Sequence, residues 1–198
     1  MNEGQDLFLA IQGIREGNET DFRRFYEQTK NRVYNLVLGY VRNREDAEEI
    51  MQDVFLEVFL SSHTFKGDAS VTTWLYRIAV NKSLDFLKHR KRQKRFAFFT
   101  SLFDTQSGEV LHHPTDFFHP GIALENQENA ARLFRAIDTL PDKQKTAYLL
   151  TKVEGLSNIE TAAILAASVG AVESLLQRAT ENLKKQLARV YKSVQEGG

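Results

Sequence analysis

The chain has 198 residues, of which 42% are hydrophobic, and this suits one medium or two small globular domains rather than a disordered chain. The formal net charge is zero, and because the chain has no cysteine it can form neither disulfides nor thiolate zinc sites. It has no apolar run of about 18 residues and no secretory signal pattern. We therefore expect a cytoplasmic protein without membrane insertion.

Two oppositely charged segments lie behind the zero net charge. Six carboxylates and no basic residue occur from Glu45 to Glu57, whereas six of the eight residues from Lys88 to Arg95 are Lys or Arg. A basic patch is typical of a polyanion site, while an acidic patch repels nucleic acid and favours a basic protein surface. The alternative is that both segments are solvated faces of helices.

Apolar residues recur at three-to-four spacing on both sides of the chain's middle, and no convincing strand alternation is present. The middle segment, residues 96–125, has no Lys or Arg and contains Pro114 and Pro120, which is typical of an irregular connector. We predict an all-α fold of two small helical domains, residues 1–95 and 126–198, joined by a flexible linker, residues 96–125. The recurring apolar positions are Ile50, Val54, Phe55, Val58, Phe59, Leu75, Ile78, Ala79, Leu84, Val172, Leu175, Leu176, Ala179, Leu183 and Leu187.

Helix start and stop signals are clearest in the second domain. Thr139 is predicted to cap a helix that tolerates Pro141 in its first turn. Asp142 would lie near the positive end of the dipole of this helix. The helix should end at Gly155, because glycine favours helix termination.

A second set of signals follows directly. Ser157 and Glu160 have the spacing of a capping box, which predicts a short helix over residues 158–165. Residues 166–168 then supply a tight turn, with Ser168 as the cap of a longer helix. Two helices joined by three residues, the second long and polar on its exposed face, indicate a helix-turn-helix.

Several motifs along the chain carry a family resemblance. The segment DAEEIMQDVFLEVF, residues 46–59, is similar to the pattern D-A-E-D-x-x-Q-E-x-F, and FKGDASVTTWLYRIAVN, residues 65–81, to F-x-G-x-x-x-x-x-T-W-L-x-x-I-A-x-N. LPDKQ, EGLSNIETAAIL and SVGAVESLLQRA follow in order. Together they resemble the sigma-70 family of RNA polymerase sigma factors, in its group with extracytoplasmic function (ECF). The resemblance implies sigma region 2 in the first domain and sigma region 4 in the second.

The function implied by this resemblance is transcription initiation in bacteria, without enzymatic activity. Such a factor binds core RNA polymerase, directs it to promoters through the −10 and −35 elements and helps to melt the −10 region. The implied partners are the clamp coiled coil and the flap of core polymerase, promoter DNA and an anti-sigma factor. We expect no cofactor and no metal.

The acidic segment is assigned by the resemblance to core polymerase. Ile50, Val54 and Phe55 are expected to point inward, which leaves one face of the helix free for a partner. In the family this face docks on the basic coiled coil of the polymerase clamp. The implied polymerase-binding residues are Asp46, Glu49, Gln52 and Asp53.

The basic segment is assigned to the −10 element. A helix over residues 71–90 would present this element, and its basic end would hold phosphates, which position DNA without reading its sequence. Reading requires a flipped base in a pocket, and the Asn81 amide suits that role because it donates and accepts hydrogen bonds. Phe65 suits the pocket and the core equally, whereas Trp74 and Ile78 are assigned to the core. The implied −10 residues are Phe65, Lys66, Asp68, Ser70, Asn81, Lys88, Arg90, Lys91 and Arg92.

The long helix of the second domain is expected to lie in the major groove of the −35 element. Glu173 and Leu175 stand where the family often has a cation, and Ala166 replaces the usual turn glycine. Glu173 could accept a hydrogen bond from a cytosine amino group, or it could be only a solvent-exposed acid. The implied −35 residues are Val169, Glu173, Ser174, Gln177 and Arg178, with Lys184 and Lys185 for phosphate contact.

The predicted linker also contains a cluster of possible metal ligands. By resemblance, the cation-free linker would thread the polymerase channel near the template strand rather than bind DNA. The histidines of HHPTDFFH could converge on a metal, but histidines in a proline-containing loop are more often solvated. The residues concerned are His112, His113, Asp116 and His119.

Two other functional classes are open on the residues alone. A stand-alone helix-turn-helix regulator would bind duplex DNA without polymerase, but the acidic face would then have no purpose. A magnesium-dependent hydrolase would use the acidic segment for oxygen ligands, but it needs a second acidic helix. Its ligands on the acidic segment would be Glu45, Glu48, Glu49 and Asp53. The acids available for the second helix are Glu125, Glu128 and Asp138, which are too sparse to complete the site convincingly.

Overall fold

The computed structural model describes residues 3–103 and 127–195, with the side chains of residues 3–95 and 129–188. These residues form eight α-helices, a 3-10 turn and a π-helical turn, and no strand. The prediction of an all-α fold is confirmed. In chain order the elements are α1 (Glu3–Arg15), α2 (Glu19–Val41), α3 (Arg44–Ser61), the 3-10 turn (Ser62–Thr64), α4 (Val71–Phe103), α5 (Gln127–Ile137), α6 (Asp142–Tyr148), the π-helical turn (Leu149–Val153), α7 (Asn158–Leu165) and α8 (Val169–Gln195).

Helices α1 to α4 pack around an apolar core. The rings of Phe25 on α2 and Phe55 on α3 meet edge to face, with 6.5 Å between their centroids. Tyr26 approaches the same Phe55 ring at 4.7 Å. Apolar residues return every three or four positions along each helix, so one face of each helix is buried, at about 1.5–3 kcal/mol for each large side chain. This packing sets α3 beside α4, and these helices carry the predicted sites of the first half.

Local side-chain caps decide where α2 and α3 begin. The Asn18 side chain accepts a hydrogen bond from the Thr20 amide at 2.9 Å, and the Asn43 side chain accepts one from the Asp46 amide at 2.9 Å. Each cap satisfies an amide that has no partner inside its helix and contributes about 1 kcal/mol. Arg42, between the two helices, adopts the left-handed conformation with φ of 54°.

Helix α4 is longer than the sequence pattern predicts. We expected a helix over residues 71–90 and a linker from residue 96, but the helical backbone continues to Phe103. The segment from Val71 to Phe103 contains neither proline nor glycine, so nothing in it breaks the helix. The possible metal ligands in residues 112–119 lie outside the described residues.

The start of α6 corrects one prediction. Thr139 does not cap this helix, because its hydroxyl donates to the Ala136 carbonyl of α5 at 2.7 Å. Pro141 itself occupies the cap position and Asp142 begins the helix, without a side-chain cap. The helix then widens into the π-helical turn and stops before Gly155, whose φ of 73° fits the predicted glycine stop.

The two halves of the chain pack against each other through the C-terminal part of α2. A Cβ atom placed on Gly39 would stand 3.3 Å from a Leu149 methyl group and 4.0 Å from the Phe134 ring. Both of those side chains are buried in the same core as α2. The missing side chain at Gly39 therefore allows a close approach between the halves.

Polar side chains surround this apolar contact. The Tyr40 hydroxyl donates to the Thr146 hydroxyl at 2.8 Å. The Lys145 ammonium donates to the Tyr40 carbonyl at 2.9 Å and to the Asp138 carboxylate at 2.7 Å, and Arg42 also pairs with Asp138. We call these five residues the interdomain cluster. It joins the end of α2 to α6 and to the residues just before α6.

Candidate polymerase and nucleic-acid interfaces

The acidic segment lies on the exposed side of α3. Glu49, Gln52 and Asp53 are exposed, and because residues three and four apart share one face of a helix, they form a continuous polar surface. We call this surface the acidic face. Leu56 and Leu60, which are 56% and 57% exposed, continue the same row toward the end of the helix. The opposite side is buried through Ala47, Ile50, Val54, Phe55 and Val58.

Asp46, the fourth predicted polymerase-binding residue, has a different environment. It is half-buried, and its carboxylate pairs with Arg90 of α4 at 2.6 Å. The structure thus joins a predicted polymerase contact to a predicted phosphate contact. A second ion pair between the same helices links Glu57 to Lys82 at 3.0 Å.

Hydrogen bonds from Arg15 fix the backbone at the start of the loop before α4. The Arg15 guanidinium donates to the Ser62 carbonyl at 2.8 Å and also to the Phe65 carbonyl. The Phe65 ring is only 6% exposed, and it packs against Trp74 and Phe8 with centroids 5.3 and 6.4 Å away. Of the two roles that the sequence left open for Phe65, the structure places the ring in the core. It offers no free face for base stacking in this arrangement.

The other predicted loop residues are exposed. Lys66 and Asp68 flank Gly67, whose φ of 83° makes the turn. Ser70 has an additional structural role, since its hydroxyl accepts a hydrogen bond from the Thr73 amide at 3.1 Å and so caps α4. Its hydroxyl is therefore partly committed to the helix.

Asn81 is exposed on α4 and makes its amide available to a ligand. It lies seven residues after Trp74, which is two helical turns, so the two residues share one face about 10 Å apart. Trp74 and Ile78 are partly buried and pack against the core, in agreement with the prediction.

The basic end of α4 contains both paired and unpaired cations. Lys88 pairs with Asp85 at 3.1 Å in an exposed contact, and Arg90 pairs with Asp46. Lys91 and Arg92 are exposed and form no ion pair with any described residue. Of the four predicted phosphate contacts on α4, these two are therefore the ones that are both exposed and unpaired.

The helix-turn-helix of the second half has the predicted local structure. Ser157 caps α7 by accepting from the Glu160 amide at 3.2 Å, and the Glu160 carboxylate accepts from the Ser157 amide at 2.8 Å. The Ser157 hydroxyl also donates to the Glu160 carboxylate at 2.7 Å, and this bond, together with the one from the Ser157 amide, lowers the pKa of Glu160. Ser168 accepts from the Ala171 amide at 3.2 Å and caps α8, while Ala166 takes the left-handed conformation of the turn. The two helices bend by 101°, within the range typical of helix-turn-helix motifs.

Helix α8 presents its predicted DNA-binding residues to solvent. Its core side contains Val172, Leu176, Ala179 and Leu183, all buried. At 100° per residue, five of the seven predicted residues fall on the opposite half of the helix, whereas Glu173 lies at the border and Val169 lies nearer the core side, at the first position of the helix. All seven are exposed: Val169, Glu173, Ser174, Gln177, Arg178, Lys184 and Lys185.

The described residues contain no group of three or more metal-ligating side chains that could hold an ion. Among the described side chains, the four acids of the magnesium-hydrolase alternative therefore do not converge with others on a metal site, while Glu125 and the side chain of Glu128 lie outside the described residues. Within residues 3–103 and 127–195 no single helix is long and apolar enough to cross a membrane; only the bent pair Asn158–Leu165 and Val169–Ala188 passes by length and composition.

Sequence reasoning missed the interdomain cluster. Tyr40 and Thr146 are 106 residues apart, and no local pattern links them. The one available signal was Lys145, a charged residue directly before Thr146 and Ala147, which are both buried in α6.

Comparison with known proteins identifies both halves. The model of sigma-70 region 2 matches residues 25–93, and that of sigma-70, region 4 matches residues 130–183, together more than half of the chain. The chain is 28% identical over 187 residues to the RNA polymerase sigma-H factor of Pseudomonas aeruginosa, which covers 94% of this chain and 96% of that protein. It is 29% identical over 177 residues to the ECF RNA polymerase sigma-E factor of Haemophilus influenzae, with 89% and 93% covered.

Solved structures give the same fold. CnrH, in complex with the cytosolic domain of CnrY, superposes with a TM-score of 0.64 at 22% identity over 93% of this chain and 97% of that chain. The sigma factor RpoE, in complex with the anti-sigma factor NepR from Bartonella quintana, gives 0.62 at 20% identity over 85% and 97%. The region 2 and region 4 matches occur in order along one chain, and the fold agrees with them. This chain therefore belongs to the sigma-70 family of RNA polymerase sigma factors.

Proposed function

We propose that the chain is a bacterial transcription initiation factor of the ECF group, which acts in the cytoplasm and has no catalytic site of its own. It binds core RNA polymerase, directs it to promoters through the −10 and −35 elements and helps to melt the −10 region. One observation carries the proposal: the acidic face of α3 and the polar face of α8 are both exposed, in modules that match sigma regions 2 and 4.

Core polymerase binds the acidic face in this proposal. Glu49 and Asp53 supply two exposed carboxylates, and Gln52 between them can donate and accept hydrogen bonds. Such a surface is complementary to a basic helical surface, such as the clamp coiled coil, and charge complementarity speeds association and selects the partner. The exposed Leu56 and Leu60 adjoin the acidic face, and burial of these two side chains by the same partner would make binding more favourable.

The −10 element binds along α4 and the loop before it. Lys91 and Arg92 hold phosphates, and each phosphate neutralised on a single strand changes the salt slope of binding by about 0.7. Asn81 reads the edge of a flipped base, and Lys66 and Asp68 contact the strand from the loop. Phe65 supports this loop from the core rather than stacking on the base.

The −35 element binds α8 in the major groove. Gln177 has the side chain that pairs with adenine in a bidentate fashion, and Val169 can contact a thymine methyl group. Arg178 suits guanine or phosphate, and Lys184 and Lys185 suit phosphate further along the helix. Glu173 reduces the positive charge of this face, so duplex binding by the free protein is expected to be weak.

An anti-sigma factor is the proposed regulatory partner, and the polymerase flap a further contact. Two structures with the same fold are complexes, one of RpoE with the anti-sigma factor NepR and one of CnrH with the cytosolic domain of CnrY. We extend this mode of regulation to the present chain, with promoter DNA and core polymerase as the competing partners.

The test is a titration against core polymerase freed of its own sigma factors. The variant combines Glu49→Ala, Gln52→Ala and Asp53→Ala. The wild type is expected to co-elute with the polymerase, and the triple variant to lose at least about tenfold in affinity, because two interfacial charges are removed. Circular dichroism confirms that the variant is folded.

The matched control also removes two carboxylates and one amide, but from another exposed surface. It combines Glu19→Ala, Glu27→Ala and Gln28→Ala on α2, and it should bind as the wild type does. No binding of the wild type would overturn the proposed function. Equal loss in both triple variants would show that binding depends on total charge and not on the acidic face.

A further inference from the structure

Arg15, the last residue of α1, binds the backbone of a segment far along the chain. Its Nε atom donates to the Ser62 carbonyl at 2.8 Å, and its Nη2 atom donates to the Phe65 carbonyl. Ser62 is the first residue of the 3-10 turn, and Phe65 directly follows that turn. A guanidinium presents its N–H groups in a fixed plane, so the two hydrogen bonds set the position of both carbonyls relative to α1.

The loop that follows has a second anchor at its far end. The Ser70 hydroxyl accepts from the Thr73 amide at 3.1 Å and lies 2.9 Å from the Thr73 hydroxyl. Between the two anchors lie Lys66, Gly67 and Asp68, which are all exposed. A Cβ atom on Gly67 would meet nothing within 4 Å, so glycine serves the backbone conformation and not the packing. The conformation of this open loop therefore depends on how its two ends are held.

Helix α1 holds Phe65 through its ring as well as through its carbonyl. The Phe8 ring meets the Phe65 ring edge to face, with 6.4 Å between their centroids. Phe8 is 42% exposed, so this ring contact is open to water on one side. The hydrogen bonds from Arg15 involve a charged donor and are directional. They are therefore the contacts that fix the orientation of the loop relative to α1.

We propose that Arg15 is a positioning residue for the −10 element, because it fixes the start of the loop through which Lys66 and Asp68 contact the single strand. This inference rests on the proposed function. Arg15 is not among the residues that the sequence assigns to DNA, and α1 precedes the segment that matches sigma-70 region 2, residues 25–93. The unit that reads the −10 element thus includes α1 in addition to the loop and α4.

An ordered loop matters more for reading bases than for holding phosphates. A loop that already has its bound conformation loses less freedom on binding, so more of the interaction free energy appears as affinity. Hydrogen bonds to a base edge require correct geometry, whereas Lys91 and Arg92 attract phosphates without reading the sequence. Loss of the Arg15 hydrogen bonds should therefore lower the discrimination between sequences and leave the salt dependence of binding unchanged.

The test compares sequence discrimination by the holoenzyme, formed from the full chain and sigma-free core polymerase. The probe is a pool of short DNA single strands with a randomised segment, and sequencing of the bound fraction gives the relative affinity of each sequence. Arg15→Met removes both donors and keeps an unbranched apolar side chain. Arg15→Lys keeps a cation that can donate to the same carbonyls, but without the fixed plane of the guanidinium. The matched control, Arg23→Met, removes an exposed arginine from α2.

The wild type and Arg23→Met should prefer the same sequences, with the same ratio of the strongest to the median affinity. Arg15→Met should lower this ratio at least about fivefold, because two charge-assisted hydrogen bonds no longer hold the loop. Arg15→Lys should restore most of the ratio. The slope of log K against log salt and the affinity for core polymerase should stay as in the wild type, because Arg15 itself contacts neither phosphate nor polymerase.

The single tryptophan of the chain gives a second measurement, on the free protein. Trp74 packs against the Phe65 ring, with 5.3 Å between the centroids, so a loosened loop would expose it to a soluble quencher. Arg15→Met should raise the acrylamide quenching constant above that of the wild type and of Arg23→Met. Arg15→Lys should return it toward the wild-type value. Circular dichroism monitors the fold of each variant.

Three outcomes would overturn the role of Arg15. The first is an Arg15→Met holoenzyme that discriminates between sequences as well as its control does. The second is an equal loss of affinity for every sequence with a salt slope shallower by about 0.7, which would mean that Arg15 binds a phosphate itself. The third is unchanged quenching of Trp74. A wild type that binds no polymerase, or binds all sequences alike, is a separate result, which overturns the proposed function and this role with it.

Discussion

Asp46 of α3 and Arg90 of α4 form an ion pair, with 2.6 Å between the carboxylate and the guanidinium. Asp46 belongs to the predicted polymerase-binding set and Arg90 to the predicted phosphate-binding set. A guanidinium held by a carboxylate is less available to phosphate. A polymerase contact that draws Asp46 away would therefore release Arg90 for DNA.

This pair predicts a measurable effect on single-stranded DNA binding. Asp46→Asn should make the slope of log K against log salt steeper by about 0.7, the contribution of one additional phosphate contact. The pair is partly exposed, so its loss should cost under about 1 kcal/mol of stability. The control Glu48→Gln removes the same charge from an exposed position of α3. Equal slopes in the two variants would show that Arg90 was never restrained.

Glu154 predicts a pH dependence of stability. Burial raises the pKa of its carboxyl from 4.5 to about 7, opposed in part by Arg32 of α2. Tyr76, Glu160 and Glu3 are the other titratable groups around this site. The folded protein binds the proton of the Glu154 carboxyl more tightly than the unfolded chain does. The stability that this protonation contributes is therefore fully present below about pH 4.5 and is lost as the pH rises through about 7.

The variant Glu154→Gln should therefore be more stable than the wild type at high pH. The difference in free energy of unfolding should be small near pH 4.5 and reach on the order of 2–3 kcal/mol at pH 8. Urea unfolding at both pH values measures it. The exposed Glu16→Gln serves as the control. A constant difference between Glu154→Gln and wild type across this range would contradict the account.

Ala166 predicts a stabilising substitution. It ends α7 in the left-handed conformation, with φ of 49°, where an L-residue is strained and the family usually has glycine. Ala166→Gly should raise the free energy of unfolding by about 1 kcal/mol, net of the extra entropy of glycine in the unfolded chain. Ala167→Gly, one residue on, should lower it. A loss of stability in both variants would contradict the conformation described for the turn.

The capping box predicts a loss of stability confined to the helix-turn-helix. Ser157→Ala removes the acceptor for the Glu160 amide and should cost about 1 kcal/mol. Amide hydrogen exchange in α7 should speed up, while exchange in α2 stays unchanged. Uniform acceleration in both helices would indicate that the two halves unfold as one unit.

The helix-turn-helix could be predicted almost residue by residue because its signals are local. Ser157, Glu160 and Ser168 act within three residues of their own positions, so spacing alone identifies their roles. The same rule wrongly predicted that Thr139 caps α6. A hydroxyl between two helices can form a hydrogen bond with either of them, and the Thr139 hydroxyl donates to α5, which precedes it. Local patterns do not choose between two such partners.

The packing of the two halves could not be predicted, because its partners are distant in the sequence. Lys145 finds its acceptor on Tyr40, 105 residues earlier, and Gly39 matters only because Leu149 lies against it. Phe65 shows the intermediate case, since an aromatic residue at a helix boundary suits a pocket or a core until its neighbours are known. The contacts of individual residues with polymerase and promoter stay predictions.

Transcription by a defined polymerase tests the central claim most directly. Sigma-free bacterial core polymerase is incubated with a library of duplexes that carry random sequence upstream of a common reporter, with and without the chain. The account predicts transcripts that require the chain, start a fixed distance downstream of two enriched elements, and are lost with the combined Glu49→Ala, Gln52→Ala and Asp53→Ala variant. Transcripts no more frequent than with core polymerase alone, under conditions where another sigma factor supports initiation, would contradict it.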